Sequence, residues 1–212
     1  MAIIKNIFFD YGRTLVEHPG DGAGLEIVIS TGLKDERDVK LVRDTVFAQG
    51  KYLNRLDEDS LERDEYKRLV IAEVPERLHS YVLKAADYHV SLLKPIPGMI
   101  ELLGKLKNDG YRLYITSNMD LLHSSQIKKM EIAKFFDGMI FSSEIKVIKP
   151  AKEFYEAALE KFGVKPEETL FIDDLKENIE GAKKCGIDGL VFEGNAFDAE
   201  QFIYNYDKGD TL

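Results

Sequence analysis

Ile3-Ile4-Lys5-Asn6-Ile7-Phe8-Phe9-Asp10 is an apolar run that stops on an acid. Ile7, Phe8 and Phe9 are apolar without alternation, so the predicted strand is expected to be covered on both faces. The same grammar returns downstream. Residues 111–115 follow the helix-stopping pair Asp109-Gly110 and end at Thr116-Ser117-Asn118. Residues 169–172 end at Asp173-Asp174, and residues 190–192 end at Glu193-Gly194. Residues 139–141, closed by Ser142-Ser143, are a fifth candidate strand.

Helical periods separate these runs. Pro97-Gly98 precedes a stripe of Ile100, Leu102, Leu103 and Leu106. Residues 152–162 place Phe154, Ala158 and Leu159 inward, and residues 178–185 form a short third helix. Buried strands alternating with such periods predict the α/β class, a parallel sheet flanked by helices on both sides. Residues 16–93 differ. They hold no strand pattern, and Val39, Val42 and Val46, then Leu78, Val82, Ala85 and His89, recur at helical spacing. They are expected to be an all-helical insert of roughly four helices after the first strand. Lys94-Pro95-Ile96-Pro97-Gly98 is the predicted return linker, because proline excludes helix there. The expected division is a core of residues 1–15 and 94–212 and a helical unit of residues 16–93.

Composition bounds the partners. The 212 residues carry 44% hydrophobic and 32% charged side chains, enough for one sizeable core, and a formal charge of −9. Without a basic stripe, nucleic acid is not an expected partner. An anionic small molecule is compatible with that charge if a divalent cation dominates locally. Cys185 is the one cysteine, so no intramolecular disulfide is expected. No stretch approaches the roughly 20 apolar residues needed to span a bilayer, so no membrane association and a cytoplasmic location are expected.

The chemistry sits at strand ends. In an open parallel sheet the carboxyl ends share one edge, where ligands bind. Asp10, Ser117, Asp173 and Asp174 are therefore expected to converge, with Lys149 of Lys149-Pro150 entering the same crevice. Each has a plainer role open to it: a turn, a helix cap, a solvated lysine. Their arrival in order, one per strand end, favours a site. Clustered carboxylates repel unless a cation binds between them, and oxygen ligands of this kind suit Mg2+. A hydroxyl and a lysine beside them would neutralise phosphoryl oxygens.

The set resembles the haloacid dehalogenase superfamily of hydrolases, in its phosphatase form with a helical cap. Ile7-Phe8-Phe9-Asp10-Tyr11-Gly12-Arg13-Thr14-Leu15 is similar to the first motif, and the segment from Pro97-Gly98 to Tyr114-Ile115-Thr116-Ser117-Asn118 to the second. Lys149-Pro150 resembles the third, and Phe171-Ile172-Asp173-Asp174 through Asn178 the fourth. Residues 171–194 look most like the branch containing glucose-1-phosphatase and the phosphatase domain of soluble epoxide hydrolase. The resemblance implies a Rossmann-like core and hydrolysis of a small phosphorylated metabolite through an aspartyl-phosphate on Asp10. It implies Mg2+ held by Asp10, the Gly12 carbonyl and Asp174, with Asp173 supporting the metal from beside it. Ser117 and Lys149 are the implied contacts to the phosphoryl group, and Asn178 would orient metal-bound water; Asn118 and Arg13 beside them are further candidate substrate contacts, Arg13 with an ion pair that pins the loop as its alternative role.

One position departs from the pattern. Most phosphatases of this family carry a second Asp two residues after the nucleophile, acting as acid and then base. Here that residue is Gly12, followed by Arg13 where glycine is usual. The expectation is a preference for leaving groups needing little protonation: sugar 1-phosphates, aryl or acyl phosphates. His18 is the nearest substitute acid in sequence. Two other outcomes stay open, a metal-free 2-haloacid dehalogenase and a non-catalytic phospho-ligand or partner-binding protein. The Asp173-Asp174 pair argues against the first, and the retention of Asp10, Ser117, Lys149 and Asp174 against the second.

Overall fold

The computed structural model of the chain describes residues 4–48 and 51–208. Five strands form one parallel sheet: β1 (Asn6–Phe9), β2 (Arg112–Ser117), β3 (Gly138–Phe141), β4 (Thr169–Asp173) and β5 (Asp188–Val191), in the order β3-β2-β1-β4-β5. All five expected strands are present. Ile3, expected to open the first, lies outside the described residues.

Strand side chains alternate between faces, and here both faces are apolar. Ile7, Phe9, Leu113, Ile115, Leu170 and Ile172 pack on one side with α6 (Met99–Asn108) and α11 (Ala196–Lys208). Phe8, Tyr114, Ile140 and Phe171 pack on the other under α9 (Lys152–Phe162) and α10 (Lys176–Lys184). Each such buried side chain contributes about 1.5–3 kcal/mol. Two shorter helices, α7 (Leu121–Ile127) and α8 (Ser142–Ile145), follow β2 and β3.

Between β1 and β2 in the chain lie α1 (Gly22–Ser30), α2 (Glu36–Val46), α3 (Leu53–Asp57), α4 (Arg63–Ile71) and α5 (His79–Ala86). Five α-helices thus stand among the described residues where roughly four were expected. The extra one is α3, whose five residues are too few to show a period. Asp35 caps α2 by accepting from Arg37 and Asp38 N–H at 3.0 Å each, and Val39, Val42 and Val46 turn inward as expected. His89 does not join the stripe of α5. That helix ends at Ala86, and His89 instead caps a short 3₁₀ turn, accepting from Ser91 N–H.

The chain leaves and re-enters the sheet layer side by side. Glu17 N–H donates to Lys94 O at 2.9 Å, and Ile96 N–H to Leu15 O at 3.0 Å. Ile27, Val42 and Leu78 belong to one apolar cluster with Leu15, Val16 and Ile7, so the helical segment shares a core with the sheet. Among the described residues no helix is long and apolar enough to cross a membrane.

Candidate active site

β1 is the central strand, and the chain reverses direction across the sheet between β1 and β4. Their adjacent carboxyl ends therefore open a crevice. Asp10 N–H still follows the β4 ladder, donating to Ile172 O at 2.9 Å. From the far side of β2 comes Lys149, 3% exposed. Its Nζ donates to Asp10 Oδ1 at 2.7 Å, Asp173 Oδ2 at 2.7 Å and Thr116 O at 2.9 Å. All three ammonium protons are used, which is what a buried lysine requires.

The supports are specific. Asn118 accepts from Lys149 N–H at 2.8 Å and donates its amide to Lys149 O at 3.1 Å. Its side chain therefore holds the lysine backbone while the residue lines the cleft. Asp173 has no exposed surface; Leu175 N–H donates to it at 2.8 Å and the Asn178 amide at 2.9 and 3.0 Å. Ser117 is buried at the end of β2, with Oγ 3.4 Å from Asn118 O. Asp10, Gly12, Arg13, Ser117, Lys149 and Asp174 line one cleft of about 470 Å³.

Charge in this cleft is unbalanced. Burial, with Asp173 adding, raises the Asp10 carboxyl above its ordinary range although Lys149 opposes. Burial, then the neighbouring Asp10 and Asp173, pushes Asp174 up to about 6. Lys149 is held protonated by Asp10 and Asp173 against its own burial. Asp10, Asp173 and Asp174 outnumber the Lys149 ammonium and the Arg13 guanidinium, 3.8 Å from Asp174, and so leave room for further positive charge. The donor chemistry fits magnesium. Two carboxylates, Asp10 and Asp174, and the Gly12 carbonyl are hard oxygens, and magnesium needs few protein ligands beside water and phosphate. Among the described residues no three His, Cys, Asp or Glu side chains gather as a metal cage, and such a magnesium site does not call for one.

Arg13 sits at φ 55°, the left-handed region where glycine is at ease. Its guanidinium grips Asp21 at 2.7 and 3.1 Å and reaches to 3.8 Å from Asp174 Oδ2. His18 accepts from Gly20 N–H at Nδ1, 2.9 Å. A Cβ on residue 12 would stand 3.0 Å from His18 Cδ2, so the ring fills the side on which an aspartate would start. Burial, then Arg13, pushes the imidazole down to about 4, so it is neutral at ordinary pH.

Sequence reasoning missed a second chamber. Behind the cleft lies a pocket of about 80 Å³ between α3, α4, the end of α5 and the start of α7. Asp120 caps α7, accepting from Leu122 N–H at 2.9 Å, and its carboxylate bonds His123 Nδ1. The His123 ring lies 4.4 Å from that of Tyr88. Asp57, at the end of α3, lines both chambers. The N-cap spacing of Asp120 and His123 was readable; nothing local marked Asp57.

A profile of the haloacid dehalogenase-like hydrolases matches residues 48–192. The chain belongs to that family. This HAD-like hydrolase is 29% identical to Glyceraldehyde 3-phosphate phosphatase of Methanothermobacter thermautotrophicus, over 94% of the chain and 90% of the relative. It is 28% identical to Pyrophosphatase PpaX of Halalkalibacterium halodurans, over 99% of the chain and 92% of the relative. A HAD family enzyme of Bacteroides thetaiotaomicron, solved with magnesium and inorganic phosphate, superposes with a TM-score of 0.65 at 22% identity, covering 91% of this chain and 96% of that one. L-2-haloacid dehalogenase of Xanthobacter autotrophicus, with chloropropionic acid covalently bound, gives 0.64 at 18% identity, covering 88% and 76%. Both phosphate and haloacid chemistry occur on this fold, so the site must decide between them.

Proposed function

We propose that this HAD-like hydrolase is a magnesium-dependent phosphatase of a small phosphorylated metabolite, with Asp10 as nucleophile. The observation that carries the reading is the shared ammonium of Lys149, bonded at 2.7 Å to both Asp10 and Asp173, beside a further carboxylate, Asp174, pushed up to about 6. A haloacid needs no such surplus of acid. A phosphate dianion brought to a carboxylate needs a cation to offset their repulsion.

In this reading Asp10, the Gly12 carbonyl and Asp174 hold magnesium, which when bound supplies charge neutralisation at the phosphoryl oxygens. Asp173 and Asn178 fix Lys149 and the metal-side water. Lys149 holds Asp10 in an attacking geometry and faces the transferred group, and Ser117 Oγ donates to a phosphoryl oxygen. Asn118 acts on substrate through the Lys149 backbone. Arg13 holds the loop through Asp21 and lends positive charge beside Asp174. Residues 16–93 form a cap over a core of residues 1–15 and 94–212. The names of the two curated relatives, a triose-phosphate phosphatase and a pyrophosphatase, support a small phosphorylated substrate.

The test is a panel of phosphomonoesters with magnesium, with and without EDTA. Phosphate release that EDTA abolishes and Asp10→Asn removes is the expected result. Chloride release from a 2-haloacid that persists in chelator, with no phosphate released from any ester, would overturn it.

A further inference from the structure

Gly12 removes the usual proton donor from the first motif, yet two titratable side chains border the gap. The cleft and the inner pocket meet along six shared residues: Gly12, His18, Leu53, Asp57, Asn118 and Met119. With the phosphoryl group at Asp10 and the rest of the substrate in the inner pocket, the bridging ester oxygen falls at that junction. Only His18 and Asp57 of the six carry an exchangeable side-chain proton suited to acid–base work. His18 uses Nδ1 to accept from Gly20 N–H, which fixes the neutral tautomer with its proton on Nε2. A neutral imidazole in that tautomer can donate a hydrogen bond but has no labile acid proton to give up.

We propose that Asp57, delivered from the helical segment, is the general acid and then the general base for the ester oxygen, in place of the aspartate absent at position 12. The assignment rests on the phosphatase reading and extends it. Asp57 is anchored where the role needs it. Ser142 Oγ, fully buried, donates to Asp57 O at 2.6 Å and accepts from Met119 N–H at 2.9 Å. The cap residue is thus pinned to the loop that follows Ser117. Lys146 Nζ, 3.2 Å from Asp59 Oδ2, ties down the same turn.

The surroundings favour a protonated Asp57. Burial, then Asp120 and Asp10, raises its carboxyl well above the usual range; Glu58 adds to this and the Asp120 backbone N–H opposes it. The nearby cations are turned elsewhere: Lys149 to Asp10 and Asp173, Arg63 to Asp120 and Asp87, Arg13 to Asp21. The other charged or titratable groups facing the two chambers are Glu17, His123, Asp174 and Glu177, three of them acids, and the phenols of Tyr11, Tyr66 and Tyr88, which burial keeps protonated. The same neighbourhood therefore keeps His18 without its second proton and Asp57 with its proton, the separation expected of an acid and a bystander.

The proton accounting closes. Asp10 attacks phosphorus, the P–O ester bond breaks, and its electron pair leaves on the ester oxygen, which takes the Asp57 proton. This yields the free alcohol, the aspartyl-phosphate and an Asp57 carboxylate. Water then attacks the aspartyl-phosphate while Asp57 takes a proton from it, releasing phosphate from Asp10 and restoring the starting acid.

The test compares an alkyl ester, glycerol phosphate, with an aryl ester, p-nitrophenyl phosphate, across pH in wild type, Asp57→Asn and His18→Asn. Asp57→Asn is expected to lower kcat/KM on the alkyl ester about 10²–10⁴-fold, while the aryl ester, whose leaving group needs little protonation, falls far less. In wild type the alkyl rate should decline as pH rises through the Asp57 pKa, since the acid is present only below it, and Asp57→Asn should lack that limb. Retained release of p-nitrophenol in the first turnover, which precedes the step that needs Asp57 as base, reports that the variant is folded. An unchanged alkyl-to-aryl ratio in Asp57→Asn, or a ratio that moves in His18→Asn instead, overturns the assignment alone. A wild-type protein inert on both esters overturns the phosphatase reading and the assignment with it.

Discussion

Two lysine–carboxylate pairs in this molecule close to the same 2.7 Å, one at the sheet edge and one at the root of the helical segment. Lys149 and Asp10 have side chains 1% and 12% exposed; Lys94 and Glu26, both 60%. The chemistry and the distance are shared, and the surroundings are opposite. In water such a pair gains little and is screened; in the interior the same pair cannot be broken without leaving a charge stranded. What separates a working charge from a decorative one here is depth, not geometry of contact.

Removing the deep partner is the strongest way to sharpen that contrast. Lys149→Met leaves Asp10 and Asp173 facing each other with no ammonium between them. A loss of about 3–5 kcal/mol in unfolding free energy is expected from breaking a buried pair. Turnover of any accepted phosphomonoester should fall by a further 10²–10³ or so, as when a preorganised donor is removed from a reacting centre. Urea unfolding and steady-state rates measure the two separately. A variant as stable as wild type would mean that water, not protein, surrounds this lysine.

The same contrast explains what could be read from the sequence. Asp10, Ser117, Asp173 and Asp174 stand at strand ends, and a parallel sheet brings strand ends together whatever the loops do, so their meeting needed only the strands. The strands needed only apolar runs and stops. Lys149 was found by its place after 139–141, and Asn178 by its place after the acidic pair. Asp57 was not found because its neighbourhood, Arg55-Leu56-Asp57-Glu58-Asp59-Ser60, reads as a solvated helical face. Its partial burial comes from docking on Ser142, 85 residues away in the chain, which no local pattern encodes. The extra helix escaped for a related reason: α3 has five residues, too few for periodicity, and its last one carries that docking. Gly12 was legible as a gap, whereas the residue beside the gap required the fold.

Ser142 sits between the two regimes and gives an intermediate effect. It is buried and neutral, and its hydroxyl joins Asp57 O to Met119 N–H. Ser142→Ala orphans both backbone groups, at a cost of about 1–3 kcal/mol. If depth sets the stakes, that loss should fall below the Lys149 loss and above any surface pair. Because the tether positions Asp57, alkyl phosphates should suffer more than aryl phosphates in this variant. Equal loss on both esters would assign Ser142 to packing alone.

The smallest effect should come from Lys94. Its ammonium meets Glu26 across the point where the helical segment rejoins the sheet, so a reader of contacts alone would give it weight. Both side chains are mostly in water, and holding two long chains in one geometry costs entropy that the screened attraction barely offsets. The backbone at this crossing is already fixed by Glu17 N–H to Lys94 O and Ile96 N–H to Leu15 O, neither of which a side-chain truncation touches. Lys94→Ala should therefore leave the urea midpoint and the rates on both esters indistinguishable from wild type, at low salt and at high. A salt-dependent drop in rate without a drop in stability would show that this pair governs how the helical segment meets the sheet, and that depth is not the sole measure of a charge's work in this fold.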